Sequence, residues 1–131
     1  MQSNRGRDTA PEVAVRRILH AQGFRYRVNY RPEVGLRRTA DIVFTRARVA
    51  VFIDGCFWHG CPDHYQRPAS HQNYWDAKVQ GNRARDLDTT ERLQGQGWVV
   101  LRFWEHCTPE AVADAVGAAV SRQRILSSQT Y

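Results

Sequence analysis

The sequence predicts an α/β fold: a single domain with a central mixed sheet flanked by helices. Three observations lead there. The apolar runs "VAVFI" (Val49 to Ile53) and "WVVLRFW" (Trp98 to Trp104) are rich in β-branched and aromatic residues, and have the length of buried strands. "FRYRVNY", Phe24 to Tyr30, alternates strictly, as a half-buried strand does. Helical spacing of apolar residues precedes, separates and follows these segments. A chain of 131 residues holds one compact domain and is too short for two.

The first eight residues, "MQSNRGRD", are polar and basic and are expected to be flexible; the domain proper is expected over 9–124, and 125–131 as a polar tail. "TAPE", Thr9 to Glu12, fits a capping box that opens a helix. Val15, Ile18 and Leu19 carry the helix forward, and Gly23 suits its end. In the following strand Phe24, Tyr26, Val28 and Tyr30 are expected on the buried face, with Arg25, Arg27 and Asn29 opposite. Pro32 and Gly35 mark a loop. "ADIVF" and "ARVAVFID" then read as a hairpin whose second strand is buried. A loop runs from Gly55 to about Gln72 and leads into a charged amphipathic helix from about Asn73 to Gln94. The run "WVVLRFW" reads as another buried strand. Thr108, Pro109 and Glu110 open a last helix with an Ala/Val stripe. The element order is α-β-β-β-α-β-α.

Composition narrows the partners. The 19 basic residues outnumber the 13 acids, a net charge of +6, and nearly all are Arg. Arg grips phosphate through a planar fork, so nucleic acid is a natural partner; biased codon usage is the plainer explanation of the same excess. No apolar segment is long enough to span a bilayer and no signal-peptide pattern opens the chain, so the expected compartment is the cytoplasm, on the nucleoid. Three cysteines, an odd number, argue against a secreted disulfide framework.

The chemistry concentrates in "DGCFWHGCPDH", Asp54 to His64, directly after the buried run. Cys56 and Cys61 form one candidate pair of zinc ligands, which His64 with His106 or Cys107 can complete as a tetrahedron. Buried reduced cysteines with solvent-facing histidines are the alternative. Asp41 stands between apolar residues at the start of a strand, where a carboxylate is costly unless paired or bound to a cation. Asp54 ends the next strand, and two acids so placed can hold Mg²⁺ through hard oxygen ligands. Glu12 can join them, or serve only its capping box. His59, fixed by Cys56, is a candidate acid or base. Trp75, Val79, Asn82 and Asp86 share one helix face, from which Asp86 can orient His59; a surface pair with Arg83, Arg85 or Arg92 explains Asp86 equally well. Phe57 and Trp58, with Trp75, are candidate wedges between base pairs; capping of the core is the alternative. Lys78, Asn82 and Arg83 on the same helix are candidate DNA contacts.

Through "DTAPE", "ADIVF", "GCFWH", "NYWDAKVQGNRARD" and "GWVVLRFWE", in that order over nearly the whole chain, the sequence resembles the very short patch repair (Vsr-type) mismatch endonucleases. The resemblance implies a restriction-endonuclease-like fold and an enzyme that nicks one strand 5′ to the thymine of a T·G mismatch, the lesion left by deamination of 5-methylcytosine. It implies Mg²⁺ as catalytic and Zn²⁺ as structural cofactor, a functional link to a cytosine-5 DNA methyltransferase and a repair polymerase, no membrane, and action as a monomer. By position, Asp41 resembles the Mg²⁺-binding aspartate, with the backbone carbonyl of Ile53 and Asp54 beside it. His59 and Asp86 resemble the catalytic pair, and Glu12 the glutamate near the site. Phe57, Trp58 and Trp75 resemble the intercalating aromatics. Cys56, Cys61, His64 and His106 are assigned to zinc, with Cys107 as substitute.

Three departures stand out. Asp54 occupies the place of a second active-site histidine; the last two zinc ligands are shifted, His64 by one residue beyond the expected spacing and with His106 rather than Cys107 directly after "WE"; and the N-terminal DNA-clasping segment is only partly matched by "MQSNRGRD". The alternatives are a nuclease of the same fold acting on other lesions or foreign DNA, and a catalytically weak zinc-containing mismatch-binding module.

Overall fold

The computed structural model describes residues 9–55 and 69–128. Its elements are α1 (Ala10–Ala21), β1 (Arg27–Tyr30), β2 (Ala40–Phe44), β3 (Val49–Asp54), α2 (Gln72–Gly95), β4 (Val99–Trp104) and α3 (Pro109–Ser128), in the expected order. The sheet has four strands in the order β1-β2-β3-β4. β1, β2 and β3 pair antiparallel, and β4 joins β3 in parallel, with Asp54 beside Trp104. The sheet is therefore mixed, and α2 is the crossover that parallel pairing requires.

The interior divides into two layers. Val15 and Leu19 of α1 and Val112, Val116 and Val120 of α3 pack on Ile42, Phe44, Val49 and Val51. On the other face Leu93 of α2, with Trp98 and Leu36, covers Val43, Ala50 and Phe52. β3 lies between both layers, so Val49 to Phe52 are buried without alternation, as the apolar run required. α2 turns one stripe inward: Val79, Thr89 and Leu93 are buried and Trp75, Asn82 and Asp86 half-buried, at the spacing read from the sequence.

Caps settle the helix ends. Thr108 Oγ1 accepts a hydrogen bond from the Ala111 N–H at 3.2 Å, as expected for α3. Gly23, at φ +95°, lets the chain leave α1 while the Phe24 N–H returns to the Leu19 carbonyl at 3.0 Å. Glycine has a packing reason at 117, where an added Cβ would stand 3.3 Å from the Phe24 ring.

Several expectations are corrected. Thr9 makes no side-chain cap bond, so the "TAPE" capping box does not form. The strand expected from Phe24 begins at Arg27. Phe24 and Tyr26 pack edge-on against Phe44, but Val28 and Tyr30 are exposed. Asn29 has φ +49°, outside the strand region, and interrupts the alternation. β4 is half-buried along its whole length, because it is the outer strand of the described sheet. The tail expected from 125 continues α3 to Ser128.

Candidate active site

Antiparallel pairing of β2 with β3 brings the start of one strand beside the end of the other. Asp41 Oδ2 there accepts the Ile53 N–H at 2.6 Å, across the pair. Burial raises the Asp41 carboxyl to about 7. The Ile53 N–H and the positive charge of Arg16 oppose that shift, while the negative charges of Glu12 and Asp54 add to it. Asp41 is thus a buried acid whose charge the Ile53 N–H and Arg16 offset only in part, in the neighbourhood of two further acids.

Glu12 is buried in the first turn of α1 and pairs with Arg16 at 3.2 Å. Without a capping box, its place beside Asp41 is the notable feature. Asp54 closes β3, and both of its oxygens accept from Arg102 Nη1, at 3.0 and 3.2 Å. The same guanidinium donates from Nε to Thr90 Oγ1 at 2.8 Å and from Nη2 to the Asp86 carbonyl at 3.2 Å. Asp86 Oδ1 lies 3.7 Å from Arg102 Nη1, and the Phe52 ring centroid 4.1 Å from its central carbon. Among the described residues, Asp86 thus meets an arginine of β4.

Among the described residues, no group of three or more His, Cys, Asp and Glu side chains is placed to hold a metal ion. Glu12, Asp41 and Asp54 do not make such a group. Cys56, Phe57, Trp58, His59, Cys61 and His64 lie outside the described residues. Of the other zinc candidates, His106 is exposed in the turn after β4, whereas Cys107 packs against the main core. Trp75 is half-buried at the start of α2, edge-on to exposed Tyr74 with ring centroids 5.0 Å apart. Lys78 and Arg83 are exposed and Asn82 half-buried.

Arg102 is the residue the sequence reading did not single out. The signal was present: one cation inside "WVVLRFW" must find partners or reach water, and here it finds partners.

A four-stranded mixed sheet between helical layers, with acids gathered where β2 begins and β3 ends, defines an α/β domain of the restriction-endonuclease-like kind. The family described as DNA mismatch endonuclease Vsr matches residues 1–66. Type II nicking enzyme V.NaeI of Lentzea aerocolonigenes is 48% identical over 92% of this chain and 72% of its own length. Type II nicking enzyme V.NmeDIP of Neisseria meningitidis serogroup C is 41% identical, over 88% of this chain and 82% of its own. DNA mismatch endonuclease Vsr of Escherichia coli K12 is 36% identical over 76% of this chain and 62% of its own. The chain belongs to the Vsr family and is a DNA endonuclease or nicking enzyme of that family. No helix among the described residues is long and apolar enough to cross a membrane.

Proposed function

We propose that this endonuclease nicks one DNA strand 5′ to the thymine of a T·G mismatch, by Mg²⁺-dependent hydrolysis that leaves a 5′-phosphate and a 3′-hydroxyl. The observation that carries the reading is Asp41. A carboxyl raised to about 7 by burial, held by a single backbone N–H at 2.6 Å, is a place where a cation relieves a cost.

The donors fit the ion. Mg²⁺ takes oxygen ligands, keeps several of its waters, and is usually held by one or two carboxylates, so it does not need a three-residue cluster. Asp41 and the Ile53 carbonyl would hold it. When bound it supplies charge stabilisation to the phosphate and to the departing 3′-oxygen. In this reading His59 takes the proton of the attacking water. Asp86 is assigned to orient His59 from α2, and Glu12 keeps the site acidic from α1. Phe57, Trp58 and Trp75 open the duplex at the wobble pair, which costs less to unstack than a matched pair. Lys78, Asn82 and Arg83 face the backbone. Zn²⁺ on Cys56, Cys61, His64 and His106 stiffens the loop between β3 and α2. The mismatch links the enzyme to a cytosine-5 methyltransferase upstream and a repair polymerase downstream.

A nicking assay on T·G and matched duplexes, across a panel of flanking sequences, tests this. Cutting of T·G DNA alone, lost in Asp41→Ala and His59→Ala while both still bind DNA, is expected. No Mg²⁺-dependent nick in any context sinks the proposal. Cutting of other mismatches or of matched DNA favours the reading as a nuclease for other lesions or foreign DNA, which relatives named type II nicking enzymes keep in view. Purified protein should carry about one equivalent of zinc; folded, zinc-free protein removes that part.

A further inference from the structure

We propose that Arg102 is a positioning residue of this site: it clamps Asp54 and helix α2 together, and so leaves Asp41 as the carboxylate that takes the divalent cation. The inference rests on the reading of Asp41 as a cation site.

The first argument is geometric. A guanidinium carries five N–H donors in one rigid plane. Arg102 spends them on partners from two elements: Asp54 at the end of β3, and Asp86 and Thr90 on α2. Asp86 and Thr90 are one helical turn apart, so they meet the same face of the arginine. The Phe52 ring closes one side of the plane. No lysine reproduces this, because an ammonium cannot satisfy a fork of partners. The strand end that carries Ile53 and Asp54 and the helix that carries Asp86 are thereby held at a fixed separation.

The second argument concerns charge. Asp54 and Arg102 have side chains only 13% and 22% exposed, and both Asp54 oxygens are already on one nitrogen. To ligate a cation Asp54 must either bring a dication close against the guanidinium it already holds or give up a sheltered pair. Kept together, the two charges offset each other. Paired, Asp54 acts on the Asp41 site with a partly offset negative charge, whereas unpaired it acts with a full one, and Arg102 alone with a full positive one.

A charge cycle tests this, with Mn²⁺ as probe, calorimetric titration without DNA, and circular dichroism to verify each fold. Asp54→Asn alone exposes the arginine charge and should weaken Mn²⁺ binding roughly tenfold; Arg102→Met alone exposes the carboxylate and should tighten it roughly tenfold. The double variant Asp54→Asn with Arg102→Met should return to within about twofold of wild type, since both charges are gone. Arg102→Lys keeps the charge and should stay within about threefold. Hydrogen exchange reads the clamp separately: amides around Asp86 to Thr90 should exchange at least roughly tenfold faster in Arg102→Met, in the double variant and in Arg102→Lys. A double variant that binds no tighter than Asp54→Asn makes Asp54 a ligand and overturns the inference. Unchanged exchange in Arg102→Met overturns it as well. If wild type binds no Mn²⁺ at all, the metal reading of the site fails and takes the charge argument with it, and the exchange result alone then decides the clamp.

Discussion

If the fold holds Asp41 at a cost, removing its charge without changing its shape should stabilise the protein, and only at pH values where the charge exists. The sign follows from linkage. The carboxyl titrates near 3.8 in the unfolded chain and at about 7 in the fold. Between those values the native state keeps a proton that the unfolded state has lost, so stability falls as pH rises from about 4 to about 7 and levels off above. At about 1.4 kcal/mol per unit, the cost reaches up to ~4 kcal/mol above pH 7. Asparagine keeps an oxygen for the Ile53 N–H and carries no charge. Asp41→Asn should therefore match wild type at pH 4 and exceed it at pH 8. For a domain of this size the gain corresponds to a Tm higher by up to ~15 °C. The assay is thermal unfolding of both proteins from pH 4 to pH 8 in buffer with a chelator. Adding Mg²⁺ at pH 8 should raise the wild-type Tm and leave that of Asp41→Asn unmoved. A variant no more stable than wild type at pH 8, or a gain independent of pH, refutes the reasoning.

Three further outcomes follow from the packing and the surface. Leu93→Ala, which empties a fully buried position between α2 and the sheet, should lower stability by ~2–5 kcal/mol in urea unfolding. Trp98→Phe removes the Nε1–H bond to Glu33 Oε2 (2.7 Å) and weakens the stack of Arg48 on that ring; urea unfolding should show a loss of ~1–2 kcal/mol. Lys78→Ala and Arg83→Ala, on the exposed side of α2, should each reduce the slope of log affinity for DNA against log salt by about 1, with little change in stability.

What the sequence disclosed, and what it hid, divides by the range of the interaction. The stripe from Trp75 through Val79, Asn82 and Asp86 was legible because a helix repeats on its own period, whatever packs against it. The buried run of β3 and the Thr108 cap were legible for the same reason: each is written in consecutive residues. Thr9 and Glu12 have the spacing of a capping box, yet burial beside Asp41 and pairing with Arg16 claim Glu12 instead. A local motif lost there to a tertiary contact. Val28 and Tyr30 alternate as a buried face should, but Asn29 between them has a positive φ, and both stay in water. The partnership of Arg102 with Asp54 spans 48 residues, and no periodic pattern reports a contact at that separation. Asp41 was legible as a costly position; the arginine that sets the role of its neighbour was not.

Electrostatic arrangement ties these findings together. Two acids sense Asp41 through their charges, and each has its own arginine: Glu12 meets Arg16 at 3.2 Å, and Asp54 meets Arg102 at 3.0 Å. Among the described residues no ion pair reaches Asp41 itself. In the proposed reading, pairing the neighbours while the central acid has one backbone N–H and only the more distant charge of Arg16 would select which carboxylate a dication takes. Among the three described acids the two neighbours are already engaged with arginines, and at Asp41 a new positive charge would relieve burial without displacing an ion pair. Had all three acids been bare, their mutual repulsion would have raised several carboxyls together, and binding would have depended on protons distributed among them. Cation affinity should rise with pH through about 7 with the slope of a single proton, and potentiometric titration of proton release on Mn²⁺ binding can count it.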